Sequence, residues 1–425
     1  MVNLARVAST PAGLSDEELY SALAASISDC RENLKKILII PPDYTRFHSG
    51  AGKITAYFYK ALKDKCQIDV LPALGTHFAM TKEECDDFFM GEVPFESLIV
   101  HDWKNDVIKL GEVPAEYVTE VSEGLVTNAI DVEVNKLLMD PSYDLILSIG
   151  QVVPHEVVGM ANRNKNIFVG IGGNSMINNS HMLGAFYGME RIMGKDHSPV
   201  RKVFDYAEEH FLKDIPLVYI LTVNTATERT IHMHGLYIGR DRKFFEMAVK
   251  KSQEKNLQFV EKPFKKVVVN LDPSEFKSTW LGNKAVYRTR MAIEDGGELI
   301  VLAPGVAHFG EDPKNDELIR KYGYAGRLNV LEYVKENEDL ANNLSAAAHL
   351  IHGSSDGRFS ITYCTKNVSE EEIRGVKFDW MAYDEAIKLY DPEKLVDGFN
   401  TLENGEEIYY ISNPALGLWA DKSKF

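Results

Sequence analysis

The chain has 425 residues, of which 45% are hydrophobic and 26% charged, and its formal net charge is −16 at pH 7. This length predicts two or three domains, and the composition is that of a globular protein. The negative charge argues against a general nucleic-acid binder, which would show a basic stripe, although a local arginine or lysine could still bind a small anion.

Cysteine usage and the apolar runs bear on the cellular compartment. The four cysteines are far apart and form no C-x-x-C pair, which favours reduced thiols over a disulfide framework or a zinc site. The N-terminus shows no charged-then-apolar leader, and no apolar run reaches the roughly 18 residues that span a bilayer. We therefore expect a soluble, cytoplasmic protein.

Short apolar runs alternate with amphipathic stretches along the chain. The predicted strands cover residues 37–40, 68–74, 98–101, 144–149, 166–169, 217–223, 267–270, 299–302, 361–363 and 408–411. Helices are predicted over Ile54–Leu62 and after Thr81, where Glu84 is placed for a capping box. This alternation predicts an α/β fold with mainly parallel sheets flanked by helices.

A charged, proline-containing stretch at residues 253–266 interrupts this pattern and predicts a domain boundary. We predict an N-terminal α/β domain over residues 1–262 and a C-terminal α/β domain over residues 263–407. The segment from about 408 to 425 is expected to return to the first domain. The active site would then lie in the interdomain cleft, the usual place for a ligand.

Two polar motifs follow the first predicted strands. Asp43-Tyr44-Thr45-Arg46 comes directly after the strand 37–40, and Gly75-Thr76-His77 comes after the strand 68–74. Ligands of open α/β sheets bind at the carboxyl ends of strands, where an arginine could grip a carboxylate and a histidine could titrate near neutral pH. Each motif alone is more often a polar turn or a helix cap.

A third group lies between Gln151 and His181. Pro154-His155 follows the strand 144–149, Lys165 comes ten residues after His155, and His181 comes sixteen residues after Lys165. Between the last two lies a glycine-rich turn at 170–173 that opens a helix, which is a ready anion site but matches neither the dinucleotide fingerprint nor a P-loop. The convergence of these residues after strand ends favours a functional site.

Three further residues need weighing. Lys284, at a predicted helix start, could meet a substrate from the second domain, although a solvated lysine is the simpler interpretation. His232 and His234 have the spacing of two metal ligands on one strand face. No third ligand is evident near them, which favours a structural pair.

The ordered series resembles the nickel-dependent lactate racemase family. The elements similar to the family's motifs are Asp43–Arg46, Gly75–His77, Pro154–His155, Lys165, His181 and Lys284, which precedes Gly296-Gly297 by twelve residues. The match is in the correct order and covers most of the chain. One motif would be weak evidence, but the series is specific.

The resemblance implies a cofactor. The family carries a nickel pincer nucleotide, which is pyridinium-3,5-bisthiocarboxylic acid mononucleotide with bound nickel, and dedicated biosynthetic enzymes load it. Lys165 would hold it through a covalent thioamide, and His181 would bind the nickel beside two sulfurs and a ring carbon. The segment Asp43–Arg46 would contact the nucleotide.

The resemblance also implies a reaction, the racemisation or 2-epimerisation of a 2-hydroxy acid by proton-coupled hydride transfer to and from the cofactor. The C2–H of such an acid is too weakly acidic for an unaided base. His77 and His155 would be the two opposed acid/base groups, and Arg46 and Lys284 would bind the substrate carboxylate.

The chain departs from the family's lactate enzymes at Ala161–Asn164 and at Trp280-Leu281. We therefore expect Val157, Trp280 and Asn283 to set the side-chain preference, towards a substrate larger or more polar than lactate, such as a sugar acid or malate. Two alternatives stay open. One is a non-catalytic nucleotide or sugar-acid binding protein, and the other is a metal-dependent dehydrogenase or hydro-lyase using the same histidines.

Overall fold

The computed structural model describes residues 1–227 and 230–425, and the chain divides into two compact units. Unit 1 comprises residues 1–183 and 192–256, and unit 2 comprises residues 184–191 and 257–425. The chain thus enters unit 2 briefly at Gly184–Arg191 before its main transition at Asn256–Leu257. That transition lies a few residues before the predicted boundary, and the short excursion was not predicted.

Unit 1 is built on one six-stranded sheet. Two further pairs, β4-β5 and β7-β8, form small two-stranded sheets. The strands of the whole unit are β1 (Leu4–Val7), β2 (Lys36–Ile40), β3 (Gln67–Val70), β4 (Val107–Val113), β5 (Ile130–Asn135), β6 (Leu145–Gln151), β7 (Pro154–His155), β8 (Gly159–Met160), β9 (Leu217–Thr227) and β10 (Thr230–Gly239). Its helices are α1 (Asp16–Ile27), α2 (Ala51–Leu62), α3 (Lys82–Phe88), α4 (Ala115–Val121), α5 (Asn174–Tyr187), α6 (Met189–Ile192), α7 (Pro199–Phe211) and α8 (Arg242–Asn256). Helices α5 and α6 include the segment that belongs to unit 2.

The order of this sheet is β1-β10-β9-β6-β2-β3, in which β3, β2, β6 and β9 run parallel to one another, and β10 is antiparallel to β9 and β1. Residues Ile37–Ile40 of β2 are fully buried, as expected for a central parallel strand covered on both faces. Helix α3 begins as predicted, because Thr81 and Glu84 form both bonds of a capping box.

The predicted strand at 166–169 is wrong. Asn166–Gly170 instead forms a buried π-helical turn. A short apolar run such as Ile167-Phe168-Val169 is equally compatible with a buried strand and a buried helical turn, so periodicity alone could not decide. The predicted strand at 98–101 is reduced to a single bridge between Leu98 and Val70.

Unit 2 has its own six-stranded sheet. The pair β11-β18 forms a separate two-stranded sheet. The strands of the whole unit are β11 (Gln258–Val260), β12 (Phe264–Asn270), β13 (Ile293–Ala303), β14 (Ser360–Thr365), β15 (Asp379–Ala382), β16 (Gly398–Thr401), β17 (Glu407–Ile411) and β18 (Trp419–Asp421). Its helices are α9 (Thr279–Gly282), α10 (Lys284–Thr289), α11 (Pro313–Tyr322), α12 (Arg327–Glu336), α13 (Glu338–Ala341), α14 (Leu344–His352), α15 (Glu370–Gly375) and α16 (Tyr383–Leu389).

The order of the second sheet is β15-β14-β13-β12-β17-β16, parallel throughout except for the edge strand β16. The prediction of an α/β fold with mainly parallel sheets is therefore confirmed in both units. The expected return of residues 408–425 to the first domain is wrong, because β17 pairs with β12 and β18 pairs with β11 inside unit 2. Across residues 1–227 and 230–425, no helix combines the length and apolar character needed to cross a bilayer.

Candidate active site

The polar motifs of unit 1 gather at the carboxyl ends of its parallel strands. Asp43 follows β2, His155 follows β6, and the loop after β3 carries His77. The segments leaving β2 and β3 stay paired through a bridge between Pro42 and Ala73. Because β3, β2 and β6 are adjacent and parallel, their carboxyl ends meet at one edge of the sheet, where ligands of such sheets bind.

Asp43 and His77 form a hydrogen-bonded pair. Asp43 is 4% exposed, and its Oδ2 lies 2.7 Å from Nδ1 of His77. Burial alone would raise the pKa of Asp43, but the hydrogen bonds from His77 and Thr45 outweigh it and hold this pKa below its ordinary value. The ionised carboxylate only accepts hydrogen bonds, so Nδ1 of His77 donates and Nε2 keeps its lone pair.

The other residues of the Asp43–Arg46 motif have different partners. The backbone N–H of Thr45 donates to Asp43 Oδ1 over 2.8 Å, which makes Asp43 the cap of the short helix Tyr44–Ser49. The Tyr44 hydroxyl donates to Asp87 Oδ2 over 2.6 Å, and Arg46 is exposed with its guanidinium on Thr45 Oγ1. Arg46 is the member of this motif whose charge faces outward.

Lys165 lies at the start of the π-helical turn, which is fixed to two strands of the sheet. The side-chain amide of Asn166 donates to the carbonyl of Ile40 over 3.2 Å and to Ser148 Oγ over 3.0 Å. At the other end of the turn, the carbonyl of Gly170 accepts the N–H of Gly75 over 2.7 Å. The loop that carries His77 is therefore tied to the turn that carries Lys165.

The pKa of the Lys165 amine lies below the ordinary value for a lysine. Burial lowers its pKa to about 8, and the positive charges of Arg46 and Arg201 act in the same direction, against the carboxylates of Glu156 and Asp43. A lysine of this pKa is uncharged in about one molecule in ten at pH 7, against fewer than one in a thousand for an ordinary lysine. A buried, partly uncharged amine is the form in which lysine acts as a nucleophile.

His155 is held neutral by its surroundings. Burial lowers its pKa, as do the charges of Lys165, His181 and Arg46, while Glu156 opposes them. The backbone N–H of Val157 donates to Nδ1 of His155 over 3.1 Å, so the neutral ring carries its proton on Nε2. These mutual effects on pKa indicate that His155, Lys165, His181 and Arg46 lie in one neighbourhood of unit 1.

His181 has the orientation that a metal ligand requires. Its Nδ1 lies 2.6 Å from the carbonyl of Ile177, one turn earlier in α5, so this nitrogen donates and Nε2 keeps its lone pair. Burial lowers the pKa of His181, which keeps the ring neutral. Histidine ligands commonly use one ring nitrogen for the metal and the other for a backbone carbonyl.

The glycine-rich turn before α5 already carries an anion. The N–H of Ser175 donates to Glu133 Oε2 over 2.9 Å, and a side chain at Gly173 would meet that carboxylate at 2.4 Å. The helix start predicted as an anion site thus binds a carboxylate of the protein itself.

Sequence reasoning missed the polar network beside Lys165. Arg201 in α7 is fully buried, although the sequence of this helix has the ordinary pattern of an amphipathic helix. It bonds to Met160, Asn162 and Asn164, just before Lys165. The Ser198-Pro199 helix start is visible in the sequence, but nothing there marks Arg201 as an inward-facing residue.

In unit 2, Lys284 is the first residue of α10. Its Nζ lies 3.5 Å from Glu275 Oε1 and 5.3 Å from the centre of the Phe276 ring. Its charge is therefore partly balanced within the unit, by a weak ion pair.

The other predicted specificity residues of unit 2 behave differently from one another. The Trp280 ring is partly buried and stacks on His349 with 4.1 Å between ring centres. Asn283 is fully buried and accepts a hydrogen bond from the Tyr363 hydroxyl over 2.7 Å. Asn283 thus packs in the core of unit 2, and its expected contribution to the side-chain preference stays a prediction.

The structural interpretation of His232 and His234 fits their contacts. Nδ1 of His232 lies 3.2 Å from the carbonyl of Ala12, and Nε2 of His234 lies 2.7 Å from Thr225 Oγ1. Both rings have partners inside unit 1.

Fold and site together define an α/β protein of two units, in which His77 and His155 follow strand ends of unit 1, Lys165 precedes the π-helical turn and His181 lies in α5. Residues 14–193 match the family model described as the lactate racemase N-terminal domain, a range that includes every predicted site residue except Lys284. Over these residues, which are less than half of the chain, the protein is similar to lactate racemases. A comparison with curated protein sequences gave no match.

Two solved structures share the fold over nearly the whole chain. One is the crystal structure of a structural-genomics target from Thermotoga maritima, which is 24% identical, covers 96% of this chain and 99% of its own, and has a TM-score of 0.76. The other is the lactate racemase apoprotein from Thermoanaerobacterium thermosaccharolyticum, which is 19% identical, covers 96% of this chain and 93% of its own, and has a TM-score of 0.70.

Proposed function

We propose that the protein is a racemase or 2-epimerase of a 2-hydroxy acid that works with a nickel pincer nucleotide. One observation carries this proposal. Burial lowers the pKa of Lys165, whose amine is electrostatically coupled to His155, His181 and Asp43, and Asp43 is hydrogen-bonded to His77. The match of residues 14–193 to the lactate racemase N-terminal domain supports racemase-type chemistry.

The residues present fit such a cofactor. Lys165 offers a partly uncharged amine for covalent attachment, and His181 offers Nε2 to a metal. Among the described residues, no group of three or more histidine, cysteine or acidic side chains is arranged to bind a metal, so nickel on His181 would draw its other ligands from the cofactor. Imidazole and sulfur suit nickel. When bound, the group would reversibly accept a hydride from C2 of the substrate.

The acid/base work falls to His77 and His155. His77 has its Nδ1–H held by Asp43, so its Nε2 accepts the proton of the substrate hydroxyl, and the carboxylate stabilises the resulting imidazolium. His155 would exchange a proton with the oxygen on the opposite face after a change of tautomer that moves its proton from Nε2 to Nδ1 and breaks the hydrogen bond from the Val157 N–H. Because His77 and His155 are held by different neighbouring groups, each enantiomer would be deprotonated by a different residue.

Arg46 and Lys284 would bind the substrate carboxylate. The Arg46 guanidinium is exposed beside the Asp43–His77 pair, and its planar fork matches a carboxylate. Lys284 is held by a 3.5 Å pair with Glu275 that a better-placed carboxylate could replace. Fixing the carboxylate lets only the configuration at C2 change.

We favour a substrate larger or more polar than lactate, such as a sugar acid or malate. The support is Trp280, whose planar ring is only partly buried and is fixed by stacking on His349, so that it would offer a broad apolar surface to the carbon chain of a substrate.

The test is incubation of cofactor-loaded enzyme with single stereoisomers of several 2-hydroxy acids in heavy water. We expect inversion at C2 with the substrate's own C2 hydrogen largely retained, because a hydride does not exchange with solvent. Wholesale incorporation of deuterium at C2 would rule out hydride transfer. Release of keto acid would favour a dehydrogenase, and tight binding without turnover, unaffected by Lys165→Ala, would favour a sensor.

A second measurement addresses the cofactor directly. Protein expressed with the cofactor-making enzymes should carry a mononucleotide-sized mass increment on Lys165, together with nickel. Lys165→Arg, which keeps the charge but cannot form the thioamide, should carry neither.

A further inference from the structure

The backbone just before Lys165 adopts an unusual conformation. Asn162 and Arg163 have φ angles of 65° and 54°, so two consecutive residues with side chains occupy the left-handed region. That region is unfavourable for such residues and persists only where the surroundings impose it. Something must therefore hold the segment Met160–Asn164 in place.

Arg201 makes the contacts that hold this segment. Its side chain is fully buried, and its guanidinium donates to the carbonyl of Met160 over 2.6 Å, to the carbonyl of Asn162 over 3.2 Å and to Oδ1 of Asn164. Its planar group also lies 4.5 Å above the Phe245 ring. Only the rigid fork of an arginine reaches three such oxygens at once.

The same helix holds the segment from a second side. Arg163 pairs with Asp205 Oδ1 at 2.7 Å and with Glu208 Oε2 at 2.9 Å. The amide of Asn164 donates to the same two carboxylates, over 2.7 and 3.0 Å. Helix α7 thus contacts the segment through Arg201, Asp205 and Glu208.

Lys165 is consequently fixed at both ends of its backbone. The clamped segment precedes it, and the anchored Asn166 follows it. The charged groups that act on its amine are Asp43, Arg46, Glu156 and Arg201.

We propose that Arg201 is a positioning residue for Lys165, whose clamp on Met160–Asn164 presents the Lys165 amine for covalent attachment of the cofactor. This inference rests on the proposed function for the role of Lys165, but the clamp itself is testable in the protein without cofactor. Arg201 touches neither substrate nor cofactor in this scheme and acts through the backbone of its neighbours.

The test follows the reactivity of each lysine in full-length apoprotein. Reductive methylation with formaldehyde and dimethylamine-borane, resolved by peptide mass spectrometry, gives the pH at which each lysine reacts at half its maximal rate. Lys165 should show a midpoint near its pKa of about 8. In Arg201→Met and in Asn164→Ala, which weakens the clamp from the loop side, we expect this midpoint to rise by about one pH unit or more, because the freed loop lets water reach the amine.

Arg290→Met is the matched control. Arg290 is also a buried arginine bonded to two backbone carbonyls, those of His352 and Ser354, but it belongs to unit 2. The Lys165 midpoint in Arg290→Met should equal that of the unaltered protein, even if the melting temperature of this variant falls. Arg201→Lys keeps the charge without the fork and should shift the midpoint in the same direction as Arg201→Met.

An unchanged Lys165 midpoint in Arg201→Met would overturn the proposal, and if that variant does not fold, an unchanged midpoint in Asn164→Ala and Arg201→Lys would do so. A shift of equal size in Arg290→Met would reduce Arg201 to a general structural role. The proposed function fails separately, when the unaltered chain never acquires the mass increment on Lys165, whatever the methylation midpoints are.

Discussion

Nδ1 of His77 donates a hydrogen bond to Oδ2 of Asp43 across 2.7 Å, and this bond decides which nitrogen of the histidine faces a substrate. Asp43 is buried and caps the short helix that follows it, whereas the His77 side chain is 47% exposed. The pair therefore joins a fixed carboxylate to an accessible base. The motif Asp43–Arg46 was interpreted from sequence as a nucleotide contact, but the contacts of Asp43 favour a role in orienting His77.

Asp43→Asn should lower kcat for racemisation about a hundredfold to ten-thousandfold, because an amide can turn its N–H towards His77 and favour the wrong tautomer. KM should change little, since Asp43 is too buried to bind substrate. The measurement is steady-state kinetics of loaded enzyme with each enantiomer. Asp87→Asn, which alters the exposed partner of Tyr44, is the control and should retain activity. A loss of nickel or nucleotide in Asp43→Asn would instead support the nucleotide contact.

His181→Ala should lower the nickel content of the loaded protein about tenfold or more while the mononucleotide stays on Lys165. The reason is that Nε2 of His181 is the proposed protein ligand, with Nδ1 held by the Ile177 carbonyl. Elemental analysis and intact mass together separate metal loss from cofactor loss. His210→Ala is the control, since Nδ1 of this exposed histidine makes the same bond to the Tyr206 carbonyl in α7. Equal nickel in both variants would contradict the assignment.

Glu275→Gln should lower KM for the hydroxy acid about twofold to fivefold with kcat nearly unchanged. Glu275 pairs weakly with Lys284 at 3.5 Å, and a partly exposed pair of this kind is worth about 0.2–1 kcal/mol. Removing the competing carboxylate leaves Lys284 free for the substrate carboxylate. Glu298→Gln, which breaks the pair with Lys266 elsewhere in unit 2, should leave KM unaltered. A raised KM in Glu275→Gln would show that Glu275 positions Lys284 instead of competing for it.

Much of the candidate site could be predicted because the carboxyl ends of parallel strands share one edge of a sheet. The strands 37–40 and 144–149 are strongly apolar, so the polar residues that follow them were predictable as neighbours in space. The capping box at Thr81 and Glu84 was also predictable, because it depends on residues three apart. Local patterns and strand ends were thus sufficient for Asp43, His77 and His155.

Features that depend on distant contacts could not be predicted. Arg201 is buried only because the carbonyls of a strained loop, some forty residues earlier, face its helix. The pairing of Ile408–Ile411 with β12 instead of a strand of unit 1 likewise depends on tertiary packing. The sequence of an apolar strand does not indicate with which other strand it pairs. The π-helical turn at Asn166 forms where its side chain meets Ile40 and Ser148, which no local pattern records.

The pH dependence of stability offers a prediction that does not involve the cofactor. Burial lowers the pKa of His349 to about 3, so this ring stays neutral in the folded protein over a range in which the unfolded chain takes up a proton. The unfolded state then binds more protons than the native state below about pH 6.5, and stability falls as the pH falls from that value towards 3.

His349→Gln should make this fall shallower between pH 6.5 and 4.5, by up to about 1.4 kcal/mol per pH unit, because the titrating group is removed while an amide can still bond to the Tyr324 hydroxyl. The measurement is urea unfolding at a series of pH values. His210→Gln, at an exposed histidine, should leave the slope as it is. Parallel slopes for the unaltered protein and His349→Gln would mean that water reaches His349 and lets it titrate normally in the native state.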